Sequence, residues 1–278
     1  MKNFASILII MIACNINAQV NYSDFITSGE STSYKKTGVK ERAVVAYPYI
    51  READVKFSRR VIRCIDTRQK MNKQLEWPRE PLNRLLYGKL LKGEIKAYVN
   101  DSLMSVYNPE TELSKRGGRE VIIPIPDPIY EGEFIDSVAY EAMDYAKIKK
   151  YWIMEDWIFD YKYSVFKPII LAISPIFAPN IGGVSGSEQP LCWIKMDEIR
   201  PLLANTEMFN RYNDAARLSF DDFFQMRIFD SYIVYESNVF DNFINQFKEH
   251  EDDAISALLK SDEIKNDLFI FEHDLWQY

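Results

Sequence analysis

Residues Ser219–Ile244 read SFDDFFQMRIFDSYIVYESNVFDNFI, the most aromatic and best-punctuated stretch of the chain. Ser219 is a good N-cap with Asp222 three residues on, a short-armed capping box. Asp221 and Asp222 also place negative charge at the positive end of a helix. Phe224, Ile228 and Tyr235, with Phe220 and Arg227 beside them, recur at spacings of three, four or their multiples, and Phe223, Tyr232 and Ile233 widen the stripe. That spacing predicts one long helix, apolar over most of its surface and buried between layers. It breaks at Ser237-Asn238 and resumes at Val239, Phe240, Phe243, Ile244 and Phe247. Whether part of the stripe is a partner surface instead is left open by spacing alone.

A layer for this helix to cover lies upstream. Tyr151 to Asp160 and Ser164 to Ser174 read as two long strands about the turn Asp160-Tyr161-Lys162-Tyr163. Tyr151, Ile153, Glu155, Trp157 and Phe159 point one way and Trp152, Met154, Asp156 and Ile158 the other, so both faces are partly apolar, as in a sheet covered on both sides. Pro168 argues for an edge position or a bulge. Leu191 to Lys195 is a candidate third strand, and helices are expected over Asp197–Ala204, Thr206–Ala216, Asp252–Lys260 and Ser261–Phe271.

Earlier segments are mixed. Asp54 to Lys70 is amphipathic, with Val61, Ile62 and Ile65 grouped, and reads as a helix rather than a strand. Asn72 to Pro81 is a turn. Pro81 opens a helix with Leu82, Leu85, Leu86 and Leu90 as its stripe and Gly93 as its stop. Glu94 to Val99 and Leu103 to Tyr107 alternate as short strands about Asn100-Asp101. Arg116 to Glu133, rich in Pro and Gly, reads as an extended connector, and Phe134 to Lys147 as a helix with Asp136 as N-cap. The expected class is α+β, a small antiparallel sheet packed with helices and a helical C-terminal third. The expected organisation is 1–18 signal peptide, 19–50 extended arm, 51–115 N-terminal lobe, 116–133 connector and 134–278 C-terminal lobe.

The chain has 278 residues, 47% hydrophobic and 14% aromatic, enough for a sizeable core. Its formal net charge of −7 offers no basic face for nucleic acid. The clusters Arg59-Arg60-Arg63 and Lys147-Lys149-Lys150 read as solvated faces. Lys2, the apolar run Phe4–Ala13 and the small residue Ala18 form a secretory signal with cleavage expected after Ala18, too short to span a bilayer. Cys14 follows a weak lipidation box. Export permits a Cys64–Cys192 disulfide, and buried free thiols fit as well.

Motifs for chemistry are sparse. Gly182-Gly183 follows a strand but lacks the Lys-Ser/Thr and the helix that would cradle a phosphate. Two His are present, His250 within the acidic run Lys248–Asp253 and His273 near the C-terminus, and neither has a second His at helical spacing for a metal. Glu155 and Asp156 point to opposite faces of their strand and cannot share a proton. The residues give no catalytic, cofactor-binding or metal-binding set. A periplasmic glycan hydrolase built on distant carboxylates and a ligand-binding module with an apolar pocket stay open as alternatives. Phe271 and Trp276 read as anchors of a docked tail.

Five phrases, in order, carry a family likeness. They are Arg60-Val61-Ile62-Arg63-Cys64-Ile65-Asp66 with Lys70-Met71-Asn72; Glu155-Asp156-Trp157-Ile158-Phe159-Asp160; Phe209-Asn210, Asn213-Asp214-Ala215 and Arg217-Leu218-Ser219-Phe220-Asp221-Asp222; Glu236-Ser237-Asn238-Val239-Phe240-Asp241; and Phe271-Glu272-His273-Asp274-Leu275-Trp276. Together they resemble the gliding-motility protein GldN, also called PorN, of the Bacteroidetes type IX secretion system. Cys64 stands where the family pattern has Trp, Phe240 where it has Tyr, and Ser219 where it has Thr. The resemblance implies a periplasmic, non-enzymatic scaffold, peripheral to the outer membrane and not membrane-spanning. It implies a ring with a GldK/PorK-like outer-membrane lipoprotein, contact with the GldL–GldM motor through a GldM/PorM-like subunit, and no cofactor.

Overall fold

The computed structural model describes residues 43–113, 116, 119–126, 134–141, 144–181, 184–213, 215–251 and 253–275. The expected signal peptide, most of the arm, Cys14, Gly182-Gly183 and Trp276 lie outside them. Three long strands carry the fold: β1 (Val55–Asp66), β4 (Lys150–Asp160) and β5 (Val165–Phe177), with β2 (Arg119–Pro126) and β3 (Phe134–Glu141) between the first two. Seven short strands follow: β6 (Asn180–Ile181), β7 (Val184–Ser185), β8 (Gln189–Pro190), β9 (Ile194–Lys195), β10 (Glu207–Met208), β11 (Leu218–Ser219) and β12 (Tyr232–Glu236). The main sheet has six antiparallel strands in the order β12-β1-β4-β5-β8, with β9 also on β5. The α-helices are α1 (Leu82–Leu91), α2 (Met196–Asn205), α3 (Phe220–Gln225) and α4 (Ala254–Asp274). The chain is α+β, with a larger sheet than expected.

β4 and β5 form the expected hairpin, and the expected alternation holds. Tyr151 and Ile153 enter one apolar cluster, Trp157 and Phe159 pack on a second, and Trp152 and Met154 belong to a third. Glu155 falls between the first two, on the strand face they share. Pro168 pairs only with Trp157, in the half of β5 that has a single neighbour, where its missing N–H costs nothing.

β1 corrects the helix expected over Asp54–Lys70. Its arginines each meet a carboxylate across the sheet: the solvated Arg59 with Glu236 and Arg60 with Asp156, both at 2.7 Å, and the buried Arg63, which leaves the expected solvated face, with Glu155. The cross-strand partners turn a helix-like spacing into a strand. β1 lies before the connector expected at 116–133 and β4 after it, yet they pair from Val55↔Asp160 to Asp66↔Lys150. The sheet therefore takes strands from both of the stretches expected as separate lobes.

Ser219–Ile244 also departs from expectation. The capping box is present, with Ser219 Oγ accepting from Asp222 N–H and Asp222 Oδ2 accepting from Ser219 N–H, each at 3.1 Å. The helix then stops at Gln225, and Arg227 adopts a left-handed φ of 54°. Tyr232–Glu236 becomes the edge strand on β1. Phe220, Phe223 and Phe224 are buried as expected, in the cluster that α1, α2 and α3 form over one end of the sheet.

Elsewhere, α1 follows Pro81, carries the expected leucines and stops before Gly93, whose φ of 68° ends the helix. The two short strands expected at 94–107 reduce to single bridges from Tyr98 to Val106 and Trp193. Phe134–Glu141 is a strand and not a helix, because β2 supplies its hydrogen-bonding partner. The helix expected at Thr206–Ala216 is absent: Glu207–Met208 pairs with Leu218–Ser219. The two helices expected after Asp252 are one helix, α4. Cys64 and Cys192 are free and buried, and burial pushes their thiols up to about 11 and about 12. No described helix is long and apolar enough to cross a membrane.

Candidate functional site: charged joints between apolar layers

Glu155 is fully buried at the boundary between the cluster under α1–α3 and the cluster under α4. Arg63 of β1, 5% exposed, donates through Nε to Glu155 Oε1. Arg227, just past α3, donates to Oε2 at 2.6 Å and to Oε1 at 3.2 Å, and Trp157 Nε1 donates to Oε1 at 3.3 Å. Both guanidinium groups lie 5.7 Å from the Trp157 ring centre. Burial alone would push the Glu155 carboxyl up, but Arg63 and Arg227 outweigh it and hold it below its usual value. Burial likewise drives the Arg63 guanidinium below its ordinary value.

The left-handed backbone at Arg227 is explained here. A β-strand must start within a few residues of the end of α3, and the side chain must reach inward to Glu155. That combination sustains a conformation costing about 1 kcal/mol in an ordinary residue. A recess of about 250 Å³ opens beside the cluster, lined by Arg63, Trp157, Arg227, Lys265 and Glu272 among others.

A second joint ties the chain's early residues to the helices. Arg200 of α2 donates to Asp221 of α3 at 3.0 and 3.3 Å and to the Val45 carbonyl at 2.6 Å. Its guanidinium stacks 4.4 Å from the Tyr47 ring, and Gln225 donates to the Tyr47 hydroxyl at 2.7 Å. Asp221 therefore does more than face the helix dipole. Residues 43–50, expected as the end of a mobile arm, have no regular structure but are pinned at Val45 and Tyr47.

A third joint is Asn72, fully buried. Its Nδ2 donates to the Asp66 and Asp230 carbonyls, each at 2.9 Å, and to Gln69 Oε1 at 2.8 Å, while its Oδ1 accepts from Asp230 N–H at 2.9 Å. The loop leading into β12 is thus fastened to the end of β1.

The remaining phrases find similar employment. Asn238 organises its loop, donating to the Glu236 and Asn242 carbonyls and accepting from the Phe240 and Asn242 amides. Tyr235 donates to Asp241 at 2.6 Å. Phe271 stacks on Phe57 at 4.5 Å and meets Phe166 edge-on at 5.0 Å, so the tail is docked through the first of its two expected anchors. His250, expected in a solvated acidic loop, bonds Ser256 Oγ through Nδ1 at 2.6 Å. No group of three or more His, Cys, Asp or Glu suited to a metal occurs among the described residues. Asp156 turns away from Glu155 to Arg60, as the strand geometry requires.

These joints show what sequence reading missed. Arg63, Asn72, Glu155 and Asp221 stood within the family-like phrases, but Arg200 and Arg227 did not. The one local signal for Arg227 is that it ends the aromatic run. A comparison with curated proteins finds no match. A family model described as gliding motility associated protein GldN matches residues 50–277, which spans every joint but the Val45–Tyr47 contacts. On that match, over most of its length, the chain belongs to the GldN family.

Proposed function

We propose that the chain is a non-enzymatic scaffold of the type IX secretion and gliding-motility machinery, working by fitting against neighbouring subunits. GldN membership places it in gliding motility and type IX secretion. The finer reading is an exported, periplasmic subunit peripheral to the outer membrane, carrying a signal over residues 1–18 and an arm after it. It forms a ring with a GldK/PorK-like lipoprotein and touches a GldM/PorM-like motor subunit.

One observation carries the reading. Arg63, Asn72, Glu155, Asp221 and Asn238, all polar residues of the family-like phrases, are engaged in fastening the fold. Glu155, the most buried acid among the described residues, is held ionised by two arginines, which disqualifies it as the protonated acid of a glycan hydrolase.

The test is a pull-down of the tagged protein from envelope extracts, paired with deletion of its coding sequence. Co-purification of an outer-membrane lipoprotein and loss of both secretion and gliding are expected. Recovery of the protein alone would sink the ring, and turnover of peptidoglycan fragments by the pure protein would sink the non-enzymatic reading.

A further inference from the structure

The recess beside Glu155 is walled by two kinds of side chain. Arg63, Arg227 and Lys265 line it as cations, and Trp157, Phe229, Leu268 and Phe269 as apolar surface. Its volume of about 250 Å³ takes a group the size of one residue or of a small organic acid.

The charge at its floor is unbalanced. Glu155 has no exposed surface, so an entering group meets its two arginines and not its carboxylate. Two guanidinium groups on one carboxylate leave one positive charge unmatched. Burial, with Arg227 adding to it, pushes Arg63 below its ordinary value. Arg63 is 5% exposed, and among the described residues its hydrogen bonding stops at Nε to Glu155 Oε1, which leaves both Nη groups as donors without a protein acceptor. Asp230 and Glu272 also line the recess, but neither forms an ion pair with either arginine among the described residues, and Asp230 is exposed to screening solvent. A charged donor in a buried site is best met by an anion.

The walls say what carries the anion. Leu268 and Phe229 are buried, and Phe269 stands 65% exposed. Sulfate or phosphate alone would leave these surfaces wet. A carboxylate on an aliphatic or aromatic body covers them and matches the planar fork of an arginine. We propose that the recess is a binding site for a monocarboxylate carried on an apolar body, its acid group on Arg63 and Arg227 and its body against Trp157, Leu268 and Phe269. The last residue of a polypeptide and a free aromatic acid share that chemistry. The site does not depend on any ring contact.

The test is a ligand-observed NMR titration of the full chain with four probes: N-acetylphenylalanine, which copies a polypeptide end; phenylacetate, a free acid; N-acetylphenylalanine amide; and sulfate. At least one acid should bind in the millimolar range, about tenfold or more tighter than the amide and sulfate, and the tighter acid names the source. Phe269→Glu removes part of the wall and adds a like charge. It should weaken binding about tenfold or more without moving the circular dichroism melt. The triple variant Arg63→Met, Glu155→Leu, Arg227→Met removes both cations and should not bind. Four outcomes overturn the proposal: neither acid binds; the amide or sulfate binds as tightly as the acids; Phe269→Glu binds like wild type; or the triple variant, folded, still binds the acid.

Discussion

Glu155 and Asp156 are neighbours on β4, each paired with an arginine of β1, and they do unlike work. Asp156 meets Arg60 through two hydrogen bonds of 2.7 and 2.9 Å, with the arginine 46% exposed. Solvent screens that pair, and its two long side chains lose freedom to form it. Glu155 has no solvent and must be matched by protein alone, so it takes two arginines and an indole N–H. A buried ionic group of this kind adds little net stability over an apolar one of the same shape, but it punishes any arrangement that leaves a partner alone. It sits where the α1–α3 block meets the α4 block, and so it specifies how strand, loop and helix come together.

The contrast can be broken by placing charges with and without partners. Phe224 is 1% exposed in the cluster under α1–α3. Phe224→Asp puts a carboxylate there with no cation prepared for it. It should cost more than about 4 kcal/mol and leave the protein unfolded by circular dichroism at room temperature. An unchanged melt would show that the helix is not core.

Glu155→Ala comes next, stranding Arg63 and Arg227, with an expected loss of about 3–5 kcal/mol in urea unfolding. Replacing all three, Arg63→Met, Glu155→Leu and Arg227→Met, should recover most of that loss. The acid response separates the two carboxylates further. The folded Glu155 pKa lies below its unfolded value, so its stabilisation is present above about pH 4.3 and is lost as pH falls through the folded value. Glu155→Gln should flatten the stability curve in that acid range, and a curve parallel to wild type would contradict the assignment.

Arg200→Ala should cost about 2–3 kcal/mol, since Asp221 loses its partner in a largely buried site. It should also speed protease cleavage near Tyr47, which a loss of helix packing alone would not do selectively. Smallest is Asp156→Ala, expected at about 0.2–1 kcal/mol and fading with added salt. A larger, salt-insensitive effect would erase the distinction between the neighbours.

Local devices were legible before the structure. Pro81, four leucines and Gly93 mark α1, period-two alternation marks the β4–β5 hairpin, and Ser219 with Asp222 marks the start of α3. Each depends on residues a few positions apart. What was not legible depends on residues far apart. Val61, Ile62 and Ile65 look helical until Arg59, Arg60 and Arg63 are given their acids from β12 and β4. The aromatic run after Ser219 looks continuous until Arg227 is drawn to Glu155, which turns the backbone and frees Tyr232–Glu236 to pair with β1. Of the site, the phrases held Arg63, Asn72, Glu155 and Asp221, while Arg200, Arg227 and Asp230 were supplied by the fold.

The place of β1 in the sheet has a consequence for the order in which the protein is made. The first long strand to be synthesised is flanked by β4 and β12, the second of which emerges almost at the end of translation. Until then β1 carries a bare hydrogen-bonding edge, and a chain cut short before Tyr232 keeps it for good. Folding must therefore wait for nearly the whole polypeptide, which makes late truncations prone to clump.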